Sequence, residues 1–364
     1  MKKIYALLIV TLFSTFTPTA VQADNGPQFA VEASWPKPLP NNWIIGQIGG
    51  IAVDSHDHIW VLQRPGSLTD DERGAALNPP VSKCCLPAPP VLVFDTEGNL
   101  LRSWGGLGSG YDWPQSEHGI SVDADDHVWI AGNGKNDHQV LEFTLDGKFI
   151  KQIGHAGKTG GSNSTDLLGR PALPLLDGAS GELYIADGYK NHRVIVFDSV
   201  TAQYKRHWGA YGKPPKDDDA GPYDPDASTA EQFRNPVHCV RIARDGLVYV
   251  CDRVNDRVQL FRKNGQFVTE FVLETRTRGA GSVWDIALSI DAEQKYLFVA
   301  DGTNNCIHVL LRASGEPLSW FGTPGRNAGQ FHWLHTMAID SKGNLYAGEV
   351  DSGKRVQKFR LIGN

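Results

Sequence analysis

The 364-residue sequence predicts an all-β fold, a six-bladed propeller with four antiparallel strands per blade. Two observations carry that expectation. A self-similar pair of strands occurs six times along the chain, and a third strand with a turn follows each pair, most with a fourth behind it.

The six pairs are "GGIAVDSHDHIWVLQR" (49–64), "HGISVDADDHVWIAGN" (118–133), "ALPLLDGASGELYIADG" (172–188), "HCVRIARDGLVYVCDR" (238–253), "DIALSIDAEQKYLFVADG" (285–302) and "HTMAIDSKGNLYAGEV" (335–350). Each is an alternating apolar strand, a polar turn holding Asp or Gly, and a second strand rich in aromatic and β-branched residues. Third strands read "VLVFDTEGN", "QVLEFTLDGK", "RVIVFDSVT", "RVQLFRKNGQ", "CIHVLLRASGE" and "RVQKF"; fourth strands include "LLRSWG", "FIKQIG", "YKRHWG" and "PLSWFG". Residues 24–48 are expected to supply an outer strand that closes the ring. Two insertions break the rhythm, 65–90 between the second and third strands of the first blade and 210–235 between the third and fourth blades. Both are rich in Pro, Gly and Asp and are expected as surface loops. Long loops on a rigid scaffold are where binding resides, so they are also candidate contacts for a protein partner.

At the start of the chain, Lys2 and Lys3 precede an apolar run from Ala6 to Phe13 and small and polar residues ending in "VQAD". This reads as a secretory signal over 1–23, leaving 24–364 as a single exported domain, periplasmic or extracellular. No later stretch approaches 18 uninterrupted apolar residues, and the net charge of −6 argues against nucleic acid or an anionic membrane as partner. Of five cysteines, Cys239 and Cys251 lie symmetrically about Asp245 and could face each other across a hairpin, although spacing alone does not fix pairing. Cys84 and Cys85 are sequence neighbours, and Cys306 makes the count odd.

Aligning the repeats places His118, His238 and His335 at one common position in the second, fourth and sixth units, where the others have Gly49, Ala172 and Asp285. One histidine beside a strand is more often structural than a ligand. Strict alternation changes the reading, because the first strand of each blade lines the channel and alternate blades of six lie about 120° apart. Three imidazoles so placed converge on the axis, the donor set of a catalytic zinc with a position left for water or substrate. His56, His58, His127, His138, His155, His192, His207, His308 and His332 follow no such pattern and read as surface or packing residues.

The repeat resembles the NHL repeat, whose D-x-x-N-x-R-[IV]-x-x-F core is matched by "DGYKNHRVIVF" (187–197) and "DRVNDRVQLF" (252–261). The chain as a whole resembles the peptidyl-α-hydroxyglycine α-amidating lyases through "PQSEHGISVD" (114–123), "FRNPVH" (233–238), "DGYKNHR" (187–193) and "CDRVNDRVQ" (251–259). That resemblance implies Zn²⁺ on His118, His238 and His335, Tyr189 as catalytic base, and Arg64 on the substrate carboxylate. Arg253, in the register of Arg64 within the fourth blade, is a second candidate clamp. The implied reaction splits a carbinolamide, a small or peptide-derived α-hydroxy acid derivative, into an amide and glyoxylate. A dication and an arginine beside a phenol favour its phenolate, and an arginine fork grips a carboxylate with two hydrogen bonds. Each residue also has a structural reading: Tyr189 covering an NHL turn, Arg64 ordering the 65–90 loop, Arg253 pairing with Asp252 or Asp256.

The chain departs from the family where Thr336 follows the third histidine in place of an aspartate that helps bind a structural Ca²⁺. Lys190 stands where the family has a cysteine, and the third histidine sits in "FHWLH" rather than after a proline. A single domain leaves no room for the copper monooxygenase that makes the hydroxyglycine, so either another protein supplies that substrate or the site serves another small hydroxylated acid. Two other functions fit the fold: a metal-dependent lactonase or hydrolase, whose sites use inward Glu, Asn and Asp, and a non-enzymatic binding or scaffold propeller.

Overall fold

The computed structural model describes residues 26–218 and 220–363, so the expected signal at 1–23 lies outside the described residues. Six four-stranded antiparallel sheets form the ring. Blades 1 to 5 each run outward from the axis in chain order, beginning with Gln47–Val53, Glu117–Val122, Leu173–Asp177, Val237–Ile242 and Asp285–Leu288. Blade 6 supplies only Leu334–Ile339, Leu345–Glu349 and Val356–Gly363 from the C-terminal end; its outermost strand is Gln28–Glu32. The first and last strands of the described residues are thus bonded to each other in one sheet, as the expected closing strand requires. Among the described residues the only helices are four 3₁₀ turns, and no helix is long and apolar enough to cross a membrane.

The polar turns explain why each strand pair forms. Asp54 accepts from the His56 and His58 amides and from the Trp60 indole. Asp123 does the same with Asp125, His127 and Trp129, and Asp340 with Lys342, Asn344 and the Tyr346 hydroxyl. One carboxylate therefore closes the turn and anchors the aromatic ring of the strand it starts. Those rings are fully buried, and they face the neighbouring blade: Trp60 and Val93 pack with Val128 and Phe143, Trp129 with Leu183 and Phe197. The core is accordingly a set of apolar layers between blades rather than one central mass.

A second repeated device sits at the opposite end of the second strand. Asp187 binds Arg193 at 2.9 Å, Asp252 binds Arg257 at 2.7 Å and Glu349 binds Arg355 at 2.7 Å. The first two pairs are shielded from solvent, with further donors from Asn191 and Asn255.

The 65–90 insertion carries two 3₁₀ turns and a two-residue strand, Leu86–Pro87, parallel to Trp43–Ile44. Lys354 of blade 6 ties it down through Ser67 and Glu72. Its Cys84–Cys85 pair is disulfide-bonded, Cys239–Cys251 is bonded across the blade 4 hairpin, and Cys306 is free. The 210–235 insertion is mostly irregular, with Phe233 fully buried at its end.

Removing one partner of a shielded ion pair strands the other. Arg257→Met should cost about 3–5 kcal/mol in urea unfolding, and Asp252→Asn in the same chain should recover part of it. A pH effect follows at Glu182, whose carboxyl is held at about 2, against an ordinary 4.5, by its hydrogen bond with Arg206. A lowered folded-state value stabilises above the unfolded value and is lost as pH falls through the folded one. The urea-midpoint gap between the wild type and Arg206→Leu should therefore narrow as pH drops from 5 toward about 2.

Candidate functional site

The three aligned histidines stand on the innermost strands of blades 2, 4 and 6, each the second residue of its strand. Each also falls where pairing with the next strand slips: between Glu117 and Ile120, between Val237 and Cys239, and between Leu334 and Thr336. A β-bulge leaves one residue unpaired and re-aims its side chain, and here it turns every imidazole into the channel. The first strands also crowd closely, because a Cβ on Gly119 would meet the Ala172 carbonyl at 2.1 Å and one on Gly49 the Glu117 carbonyl at 2.4 Å.

The result is a nearly equilateral set of rings with centroids 4.7, 4.8 and 4.9 Å apart. All three residues are at most 4% exposed. His118 Nδ1 donates to the Ala172 carbonyl at 2.9 Å and His238 Nδ1 to the Trp284 carbonyl, which leaves both Nε2 lone pairs facing inward. His335 Nε2 lies 3.1 Å from His118 Nε2, and its Nδ1 is buried without a partner. Burial first, then the Arg64 guanidinium for His118 and the His118 ring for the other two, holds all three imidazoles well below their ordinary value. They are therefore neutral, the state in which imidazole ligates a metal.

Tyr189 reaches this centre from the turn between the second and third strands of blade 3. Its hydroxyl lies 2.8 Å from His118 Nε2 and 3.1 Å from His238 Nε2, and Arg253 Nη1 donates to it at 3.3 Å. The Asp187–Asn191–Arg193 network holds the base of the turn, and Asn235 Nδ2 donates to the Gly188 and Asn191 carbonyls from the end of the 210–235 insertion. Gly188 is needed because a Cβ there would lie 2.1 Å from the Val237 carbonyl.

The Tyr189 hydroxyl can serve only one of its two imidazole nitrogens at a time, His335 Nδ1 is buried without a partner, and the three histidines offer nitrogens all within 4.8 Å of one another. That donor set fits a single divalent cation of the imidazole-preferring kind.

Arg64 and Arg253 take separate roles around it. The side chain of Arg64 donates to the Glu117 carbonyl at 2.6 Å and to Gln47 at 2.9 Å, so it braces blade 1 against blade 2 beside the histidines. Arg253 lies over the Trp284 ring at 4.2 Å, and its Nε is buried with no acceptor. Neither Asp252 nor Asp256 pairs with it, since Asp252 is engaged by Arg257. Arg170 and Trp284 complete the wall, Arg170 lying 5.7 Å from the centre of the Tyr189 ring. Sequence reasoning passed over both, and the structure marks Arg170 by its left-handed backbone (φ 58°), unusual for a non-glycine residue. Below the histidines, Thr336 Oγ1 donates to Asp285, whose two oxygens are already engaged by Arg241.

No family model matches the chain. NHL repeat-containing protein 3 of Mus musculus is 26% identical over 346 residues, covering 92% of this chain and 84% of that protein. Peptidyl-glycine alpha-amidating monooxygenase B of Xenopus laevis is 22% identical over 334 residues; the match takes in 87% of this chain but only 34% of that protein. A probable peptidyl-alpha-hydroxyglycine alpha-amidating lyase of Caenorhabditis elegans is 24% identical over 228 residues, 60% of this chain and 56% of its own. Among solved structures, virginiamycin B lyase from Staphylococcus aureus aligns over 92% of this chain and 89% of its own with a TM-score of 0.51 at 15% identity, a likeness of fold alone. The chain is thus a six-bladed β-propeller that is similar to NHL repeat-containing protein 3 and to peptidyl-α-hydroxyglycine α-amidating lyases.

Proposed function

We propose that the chain is an exported, zinc-dependent lyase that cleaves an N-acyl-α-hydroxyglycine-like carbinolamide to an amide and glyoxylate. The observation that carries this reading is the convergence of three neutral imidazoles with one phenol and an arginine that has a hydrogen atom to spare. Zinc, held by His118, His238 and His335, would supply Lewis-acid polarisation of the substrate oxygen.

The rest of the work falls to the chain's own groups. Tyr189, as phenolate, takes the proton of the substrate hydroxyl; the carbon–oxygen bond becomes a carbonyl, the carbon–nitrogen bond breaks, and the amide nitrogen gains a proton. Atoms balance without an oxidant: R–CO–NH–CH(OH)–COO⁻ gives R–CO–NH₂ and OHC–COO⁻. Arg253 donates to the phenol oxygen, which holds the ring at the centre, and its spare Nε–H binds the substrate carboxylate. Arg64 sets the positive field of the pocket while its hydrogen bonds keep the blade 1 rim in place. Trp284 and the buried strand ends exclude water from the reacting carbon.

A hydrolase or lactonase built on inward carboxylates is favoured less, because Asp285, the carboxylate beside the histidines, is already engaged by Arg241. A non-enzymatic binding or scaffold propeller is the reference against which activity is measured.

Tag-free protein should contain zinc by elemental analysis, and His118→Ala or His238→Ala should hold one ion fewer per chain than the wild type. With an N-acyl-α-hydroxyglycine as substrate, glyoxylate release should fall about 10²- to 10⁴-fold in Tyr189→Phe, the range of a lost general base. Arg253→Gln should lower kcat/KM by about 10- to 100-fold, as for a hydrogen bond to a charged group. Zinc-free protein, or zinc protein that releases no glyoxylate, would favour a scaffold.

A further inference from the structure

Blade 5 breaks the acid–arginine device used by its neighbours. Asp187 faces Arg193 across the second and third strands of blade 3, and Asp252 faces Arg257 in blade 4. In blade 5 the partner in the same register with Asp301 is Cys306. The arginine has gone, yet the carboxylate remains fully buried. Its hydrogen-bond partners are the Asn304 amide and side chain and, at 3.4 Å, His308 Nε2. Cys306 Sγ lies 3.4 Å from the same nitrogen. The three residues are 0, 8 and 7% exposed, and their donor atoms all lie within 4.8 Å of one another.

We propose that Asp301, Cys306 and His308 form a second metal site, separate from the axial histidines, that binds a zinc-like divalent transition ion through one carboxylate, one thiolate and one imidazole. The distances suit it. Ligands about 2.0–2.3 Å from a tetrahedral ion stand about 3.3–3.6 Å apart, close to the observed sulfur–nitrogen and nitrogen–oxygen separations. The charge also suits it: a buried carboxylate costs stability unless it is neutralised, and here the cation takes the place that arginine fills in blades 3 and 4. Thiolate and imidazole select zinc, cobalt or copper over calcium and magnesium. On binding, the Cys306 thiol gives up its proton to solvent, and water completes the coordination. The strand pair that bears the site lies outside the channel, so its role is to pin the second and third strands of blade 5 together.

Cobalt is the probe. Four of the five cysteines are in disulfides, so Cys306 is the one thiol available, and the axial histidines contain none. Chelator-stripped full-length protein titrated with Co²⁺ should develop a near-ultraviolet thiolate-to-cobalt charge-transfer band that saturates within two ions per chain, since the axial histidines take cobalt without contributing to the band. Cys306→Ser should abolish the band, and His308→Gln should weaken it. Cys306→Arg, which restores the ion pair of the other blades, should abolish it with the fold retained by circular dichroism. Absence of the band at saturating cobalt, in protein whose single thiol is still titratable after unfolding, would overturn the proposal. Loss of the axial metal leaves this band untouched, so the two sites are judged separately.

Discussion

The six innermost strands approach one another so closely around the axis that two of them admit only glycine at the contact, and in that crowded ring a bulge decides where a side chain goes. Blades 2, 4 and 6 spend their extra residue on a histidine. Because the strand is held on both sides, by its own sheet and by the neighbouring blades, the imidazole has one direction left to it. The two carbonyls that accept from His118 and His238 belong to the adjoining blades 3 and 5, so the rings are oriented by the ring closure itself. An ion on the axis would join three blades that share no direct strand pairing.

The loops that complete the site depend on a different interaction. Tyr189 and Arg253 each follow a second strand, at the point where a buried aspartate, an asparagine and an arginine tie the turn down. Shielded ion pairs contribute little net stability, but they fix geometry when every lone pair is used. The same device therefore serves as scaffold and as mount: blade 3 uses it to aim a phenol and blade 4 to aim a guanidinium. Blade 5, which aims nothing at the axis except the Trp284 ring and the Asp285 carboxylate, is the blade where the arginine has been exchanged for a thiol.

Much of this was legible in the residues. Strand alternation and the repeat period gave the blade count, and a shared register picked out His118, His238 and His335 before any coordinates. The closing strand was legible because "RVQKF" lacked a fourth partner of its own. What register cannot supply is direction: the bulges that turn the histidines inward arise from pairing with the second strand, which period-two patterning does not encode. Arg170 and Trp284 were missed because each precedes the innermost strand of its blade, outside the aligned repeat, and enters the site only through ring curvature. His308 read as a packing residue because its partners, Asp301 and Cys306, stand seven and two positions away and meet only across a strand pair. The structural readings of Arg253 did not survive, since Asp252 is already held by Arg257. Arg64 hydrogen-bonds from blade 1 to blade 2 beside the histidines, a contact that neither of the roles expected for it foresaw.

The account as a whole rests on three imidazoles sharing one ion. X-ray absorption at the zinc edge of tag-free Cys306→Ser protein, which keeps only the axial site, tests that directly. A first shell of three imidazole nitrogens with a further light-atom ligand, lost from the spectrum of the His335→Ala protein, is the result the structure predicts. A first shell without imidazole scattering, or one unchanged by that substitution, would contradict it.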